Sequence, residues 1–560
     1  MTRGSAMPSL LPDIQSLSLA QQVAQMVVVR ASGYLFDHQI RYPAWEPPQT
    51  TLKQWIQEWG VGGVILLGGS AAELALRTNQ LQSWARVPLL MAADVEEGVG
   101  QRFDGATHFP PPMALAAIAQ TQPQLAEQYA EQMGSVIAQE SLAVGLNWVL
   151  APVVDVNNNP QNPVINVRAF GETPAIVSQL TSAFIRGARP YPVLTVAKHF
   201  PGHGDTAIDS HLELPVIPHT LERLQQVELP PFQAAIAAGV NSVMSGHLLI
   251  PAWDPDYPAT LSRRILTEGL RKDLAFEGLI VTDALVMGAI ANQYGPNEAA
   301  VMAVEAGADI LLMPVDPPGA IQAICAAVEA GRIAAERIQA SVERIWQAKQ
   351  RICAPTVSLG QPAHAWEEVA PTIEAEPLVA HLAQPAALSL VADILQTSQR
   401  VYQPVSSRLS QPRWQNQARN LVLVDDALGC EVVGHSTPAI AQLRERGYHL
   451  QVIDRHTPAC FLDEIEWQPT LLQLFVRGNP FRGSAGLMET AQKLLQQLID
   501  SDQLQALIVY GSPYIADVCL TGLPSDVPYV MTYGQMAQAQ AIAIQVLFST
   551  PVAEPGSSSA

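Results

Sequence analysis

Fourteen residues of this chain, Lys198 to His211, hold three histidines, two aspartates and a lysine around Gly202 and Gly204. The run reads Lys198-His199-Phe200-Pro201-Gly202-His203-Gly204-Asp205-Thr206-Ala207-Ile208-Asp209-Ser210-His211. A solvated polar loop seldom concentrates histidine in this way. Within it, Asp209 and His211 are two residues apart. A carboxylate bonded to one imidazole nitrogen fixes the tautomer and steadies the cation formed when the other nitrogen takes a proton. With an ordinary pKa of about 6.5, such an imidazole gives and recovers a proton near neutrality. A metal site competes with this reading, because His199, His203, Asp205 and His211 are all competent ligands. Their spacing matches no familiar ligand motif, and Lys198 beside them adds repulsion.

A second carboxylate, Asp283, leaves an apolar run, Gly278-Leu279-Ile280-Val281-Thr282. It fits two roles at that place: N-cap of the helix that follows, or a rigidly held nucleophile that attacks an anomeric carbon in line. A third group is spread over other strand ends. Asp94 has Glu96 and Glu97 close by, Arg168 lies in a long excursion, Lys198 and His199 end one apolar run, and His247 follows another. Charged forks and carboxylates of this kind bind sugar hydroxyls. Each alone is compatible with a surface ion pair; their collective placement suggests a carbohydrate pocket.

That placement depends on the elements beneath. Short β-branched runs at Met26–Arg30, Gly63–Leu67, Leu89–Ala93, Leu146–Val153, Val193–Lys198, Val240–Ser245, Leu279–Thr282 and Asp309–Met313 alternate with helix-like sequence such as Pro123–Ala143, Pro231–Ala238 and Asn297–Ala306. Alternating strands and helices imply a parallel sheet, and eight repeats over about 350 residues suggest a closed (β/α)8 TIM-type barrel, with a doubly wound open sheet as the rival. An amphipathic helix near Ala334–Ile352 ends this part. Residues 354–386 carry five prolines and read as a linker. Strand-like runs resume at Leu388–Ile394, Asn420–Val424, Leu450–Ile453, Leu471–Val476, Ala506–Tyr510 and Tyr529–Thr532, with helices near Ala439–Arg446, Ala485–Asp500 and Met536–Val546. The expected organisation is α/β throughout: a catalytic barrel over 1–353, the linker, a C-terminal α/β sandwich-like domain over 387–550 and a disordered tail over 551–560.

Bulk properties narrow the partners. The 560 residues are 48% hydrophobic and 15% charged, with a net charge of -20. That balance argues against nucleic acid and against an anionic membrane surface. Five scattered cysteines (Cys325, Cys353, Cys430, Cys460 and Cys519) make no framework, and the first residues hold no apolar run long enough for a signal peptide. A cytoplasmic location is the expectation. No phosphate-binding glycine loop and no G-x-S-x-G elbow is present, so nucleotide chemistry and serine hydrolysis lack an anchor.

The block from Lys198 to His211, followed by Pro258-Ala259-Thr260-Leu261-Ser262 and by Gly278 to Ile290, closely resembles glycoside hydrolase family 3, and within it the NagZ-like β-N-acetylglucosaminidase branch of cell-wall recycling. The likeness covers roughly residues 15–352. It implies the barrel fold and a retaining β-N-acetylhexosaminidase that needs no metal or other cofactor and acts on a small carbohydrate or muropeptide. It further implies Asp283 as the nucleophile of a glycosyl-enzyme intermediate, and His211, oriented by Asp209, as the group that protonates the leaving oxygen and then activates water. By the same matching, Asp94, Arg102, Arg168, Lys198 and His199 hold the non-reducing sugar. Neutral imidazole beside Asp283 tolerates an anionic acceptor, which leaves phosphorolysis open beside hydrolysis; a β-glucosidase and an inactive sugar-binding protein are the other readings. One departure concerns the loop after the third strand, where Glu97 replaces the family's usual glycine. The resemblance of the C-terminal domain to two-domain members is loose, and it is given no catalytic residues here. Oligomeric state is not readable from the sequence.

Overall fold

The computed structural model describes residues 11–206, 214–352, 378, 380–410, 418–458, 468–477 and 485–549. They fall into two compact units, one comprising the chain to Phe109 with Ala119–Leu388, the other Pro110–Ile118 with the chain from Ser389 onward.

The first unit is built on eight strands: β1 (Val27–Ser32), β2 (Gly63–Leu67), β3 (Leu90–Ala93), β4 (Trp148–Val149), β5 (Leu194–Phe200), β6 (Ser242–Ser245), β7 (Leu279–Thr282) and β8 (Leu311–Leu312). They lie in the order β7-β6-β5-β4-β3-β2-β1-β8. All pair in parallel. A parallel bridge between Val281 and Ile310 joins the two ends of that order, reinforced by Thr282 N–H to Ile310 O at 3.0 Å and Leu285 N–H to Leu312 O at 2.9 Å. The sheet therefore closes on itself, and the barrel rather than the open sheet is the fold. Strands buried on both faces must be apolar throughout, as Leu90–Ala93 and Leu279–Thr282 are. The buried Trp148 indole on β4 donates to Ser242 Oγ at 3.0 Å, and Ser242 donates on to Thr195 O at 2.8 Å. The expected fourth strand, Leu146–Val153, is shorter than its β-branched run suggests. Pro152 has no N–H for the ladder, which resumes only as the single bridge Val153–Lys198.

Outside the barrel, the helix Pro123–Ala143 packs on the helix Pro174–Ala188. Two glycines allow it, since a Cβ on Gly134 would stand 2.1 Å from Phe184 O and one on Gly187 1.8 Å from Glu131 O. Just before β8, Asp309 is fully buried and gathers Arg271 (2.6 Å), Arg344 (3.1 Å), Arg337 (3.4 Å) and the Ser341 hydroxyl (2.6 Å). Burial, with the two neighbouring guanidiniums behind it, outweighs Asp309 and lowers Arg271 to about 10. This end of the barrel is a structural clasp.

The second unit has six strands in the order β11-β10-β12-β13-β14-β9. These are β9 (Arg400–Tyr402), β10 (Arg419–Leu423), β11 (His449–Ile453), β12 (Thr470–Val476), β13 (Leu504–Gly511) and β14 (Tyr529–Thr532). Five run parallel, and β9 is an antiparallel edge. One expectation fails here, and one strand has no counterpart among the expected runs. Leu388–Ile394 is not a strand but lies within a helix, Pro385–Ser398, that begins inside the expected linker. Its buried residues Ala387, Leu390, Val391, Ile394 and Leu395 recur at helical spacing while Leu388 is exposed. Strand β9 escapes a pattern reading because all three of its residues are exposed. The rest of the expected linker up to residue 377, and the tail 551–560, lie outside the described residues.

Candidate active site

Of the residues singled out from the sequence, Asp94, Lys198, His199 and Asp283 lie on the rim where the barrel strands end, and Arg168 reaches it through Glu96. Backbone bonds stitch that rim together: Val154 N–H to Lys198 O at 2.8 Å, Gly246 N–H to Phe200 O at 2.8 Å, and Asp283 N–H to Ser245 O at 3.1 Å. In a (β/α)8 barrel this is the face from which reactive side chains project.

Four ionic groups are locked to one another. Lys198 Nζ lies 2.7 Å from Asp94 Oδ1 and 2.6 Å from Glu96 Oε1. Arg168 grips the same Glu96 with both arms, Nε and Nη2 each at 2.8 Å, and donates through Nη1 to Val164 O at 2.9 Å. Burial opposes the charge on Lys198, yet Asp94 and Glu96 outweigh it and raise its pKa. Glu96, equally penalised by burial, is held well below the carboxylate range by Arg168 and Lys198. Glu96, Lys198 and Arg168 therefore stay charged at neutral pH. Asp94 differs in being 37% exposed, so it is the member that can meet a ligand. Arg102 joins the group at its edge, donating from Nε to the Asp94 backbone carbonyl at 3.1 Å with its side chain exposed.

A second cluster forms around Asp155, which is fully buried. It stands 2.8 Å from His199 Nδ1 and accepts the backbone N–H of His199 (3.1 Å) and of His203 (2.7 Å). Burial penalises this carboxylate, and His199 with His203 overcomes the penalty and lowers its pKa. His203 is itself buried and bonded through Nδ1 to Thr206 Oγ1 at 3.0 Å. Burial, opposed by Asp155 and more weakly by Asp283, holds it down at about 4. The pull of Asp283 puts that carboxylate within electrostatic reach of the β5 cluster. Asn162 ties the excursion after β4 to this loop, donating to the carbonyls of His203 (2.8 Å) and Gly204 (2.9 Å).

Asp283 follows β7 and is half-buried, and its Oδ1 accepts the adjacent Ala284 N–H at 2.7 Å. It does not cap the next helix, Gly288–Tyr294, whose N-cap is Met287. His247 is fully buried, with its ring nitrogens against Thr260 Oγ1 and Ala284 O. Asp209 and His211 lie outside the described residues. On the near side of that segment Asp205 is fixed to His219 Nε2 at 2.9 Å, and on the far side Val216 bridges Leu249.

Of the four candidate metal ligands, His199 is bonded through Nδ1 to Asp155, His203 through Nδ1 to Thr206 and Asp205 to His219, and His211 lies outside the described residues. Among the described residues, no three His, Cys, Asp or Glu side chains converge as a metal set. Glu97, the departure in the loop after β3, is buried 3.5 Å from His108 Nε2, beside Gly98 at φ 95°. Glu96 and Asp155 are the site members that strand-end reading did not select. Asp155 stands two residues beyond the expected fourth strand, so the strand-end rule that selects Asp94 and Asp283 applies to it also.

With this geometry in place, likeness to known proteins can be weighed. Residues 18–348 match the model of the glycosyl hydrolase family 3 N-terminal domain, and residues 411–549 that of the bacterial glycosyl hydrolase family 3 C-terminal domain. A relative described as beta-hexosaminidase A, from Pseudoalteromonas piscicida, is 35% identical over 356 residues, 57% of this chain and 59% of the relative. A beta-N-acetylglucosaminidase/beta-glucosidase of Cellulomonas fimi is 34% identical over 51% of each chain. The matches thus span little more than half the length of these curated relatives. A solved glycoside hydrolase family 3 beta-N-acetylglucosaminidase from Paenibacillus sp. str. FPU-7 superposes with a TM-score of 0.73 at 31% identity, covering 95% of this chain and 97% of that one.

Proposed function

Because the chain belongs to glycosyl hydrolase family 3, we propose that it is a retaining β-N-acetylhexosaminidase that removes terminal β-linked N-acetylglucosamine. The carrying observation is the charge-locked quartet Asp94–Lys198–Glu96–Arg168 on the same rim as Asp283. The half-exposed Asp94 and the outer nitrogen of His199, whose ring proton is committed to Asp155, accept from sugar hydroxyls, while Lys198 and Arg102 donate to them. Glu96 and Arg168 hold Lys198 where it can do so.

In the reaction, a carboxylate oxygen of Asp283 attacks the anomeric carbon as the glycosidic bond breaks, and the imidazole of His211, paired with Asp209, gives its proton to the departing oxygen. Water then attacks the glycosyl-aspartate, losing a proton to His211 and freeing the sugar with its β configuration. A peptidoglycan fragment is the favoured natural substrate, on the likeness to the NagZ-like branch. The scattered cysteines favour the cytoplasm. No helix among the described residues is long and apolar enough to cross a membrane.

A chromogenic β-N-acetylglucosaminide tests this reading, alongside the β-glucoside and the disaccharide with an anhydro-muramic acid aglycone, each with and without phosphate. Turnover by the wild type, retention of configuration in the first product and its loss in Asp283→Ala support it. Inversion, undiminished turnover by Asp283→Ala, or preference for the glucoside contradicts it. A sugar 1-phosphate as the main product contradicts hydrolysis as the principal outcome.

A further inference from the structure

The segment Pro258–Ser262 stands out in the sequence, yet none of its residues has a part in the chemistry above. Its Thr260 is fully buried, and so are Ser245 at the end of β6 and His247 just beyond. Ser245 Oγ donates to Thr260 Oγ1 at 3.0 Å, Thr260 Oγ1 lies 2.8 Å from His247 Nδ1, and His247 Nε2 lies 3.1 Å from Ala284 O. A carbonyl oxygen only accepts, so Nε2 carries a proton and donates it, which leaves Nδ1 an acceptor; the single Thr260 hydroxyl proton is shared between Nδ1 and Gly246 O, 3.1 Å away. Ala284 is the residue that follows Asp283, and its N–H is bonded to Asp283 Oδ1 at 2.7 Å. The Asp283 N–H is held in turn by Ser245 O at 3.1 Å. The Asp283 N–H and the carbonyl of the next residue are therefore both tied to one strand end and its buried hydroxyl–imidazole relay.

We infer that His247, set by Thr260, is a positioning residue that fixes the turn carrying Asp283 and hence the direction in which its carboxylate faces the anomeric carbon. The inference rests on Asp283 being the nucleophile. His247 needs no contact with sugar, since its two ring nitrogens are engaged with Thr260 and Ala284. A carboxylate displaced by about 1 Å costs an enzyme on the order of 10²-fold in rate while leaving substrate binding largely intact. An error of position in the nucleophile thus appears in kcat, whereas loss of a sugar ligand appears in KM.

The test measures kcat and KM with the chromogenic β-N-acetylglucosaminide, and competitive inhibition by free N-acetylglucosamine, in His247→Leu, His247→Gln, Thr260→Val and Thr260→Ser. His247→Leu is expected to lower kcat about 10²-fold and Thr260→Val about 10-fold, with KM and the inhibition constant within about threefold of wild type. His247→Gln, which keeps a donor near Ala284 O, and Thr260→Ser, which keeps the hydroxyl, recover most of the loss. Should His247→Leu not fold, Thr260→Val decides, because it conserves side-chain shape. Unchanged kcat in Thr260→Val and His247→Leu overturns the inference, as does a loss confined to KM and inhibitor affinity. Undiminished activity in Asp283→Ala is a separate result that removes the nucleophile assignment itself.

Discussion

The carboxylate of Asp155 stands 2.8 Å from Nδ1 of His199 and also accepts that residue's backbone N–H at 3.1 Å. One buried acid thus fixes both the ring and the main chain of the residue beside Lys198, and leaves the far ring nitrogen of His199 as an acceptor. Asp155→Asn preserves an oxygen for the backbone bonds but presents an amide that cannot serve all of the donors around it. It is expected to lower kcat/KM about 10²-fold at nearly unchanged melting temperature, as steady-state kinetics and a thermal melt will show. An equal loss in a folded but thermally weakened variant would mark Asp155 as merely structural.

Lys198 bridges Asp94 and Glu96, so removing it frees Asp94 and costs the sugar a charged donor. Charge-assisted hydrogen bonds contribute about 1.5–3 kcal/mol, which corresponds to roughly 10- to 100-fold in affinity. Lys198→Met should raise KM and the inhibition constant of N-acetylglucosamine within that range. Arg168→Lys loses the two-armed grip on Glu96 and is expected to act in the same direction.

At the opposite end of the barrel, Asp309→Ala leaves three guanidiniums around a buried, uncompensated site. Removing one partner of such a cluster costs about 3–5 kcal/mol. The melting transition of the barrel is expected to fall by several degrees, while kcat of the protein still folded at 25 °C is unchanged. A fall in kcat with no change in melting would contradict the structural assignment of that cluster.

His203 supplies a pH dependence of stability. Its folded pKa is depressed to about 4 from 6.5, chiefly by burial. Between those values the unfolded chain binds a proton that the folded chain does not. The contribution is therefore complete above about pH 6.5 and is lost as the pH falls toward about 4, by up to about 3 kcal/mol. Melting temperature measured across that window should decline more steeply in wild type than in His203→Gln.

Much of the barrel is legible in the sequence because strands buried on both faces need unbroken apolar runs, and Gly63–Leu67 and Leu279–Thr282 coincide with the observed strands. Legibility fails where local composition and tertiary use diverge. Leu388–Ile394 is β-branched enough to pass for a strand, yet its burial follows a helical period. Arg400–Tyr402 is a strand only because β14 lies beside it. At the site, single strand-end charges such as Asp94 and Lys198 are visible, but their direct pairing, and the link from Lys198 through Glu96 to Arg168, are long-range facts that spacing cannot supply. His247 reads as one more rim residue until its burial and its bond to Ala284 O give it a supporting place.

The most direct measurement is covalent trapping with a 5-fluoro-N-acetylglucosaminyl fluoride, followed by proteolysis and peptide mass mapping. One fluorosugar should attach per chain, on the carboxylate of Asp283, and hydrolyse slowly to restore activity. Attachment to another residue, or inhibition without any mass increase, would contradict nucleophilic catalysis by Asp283.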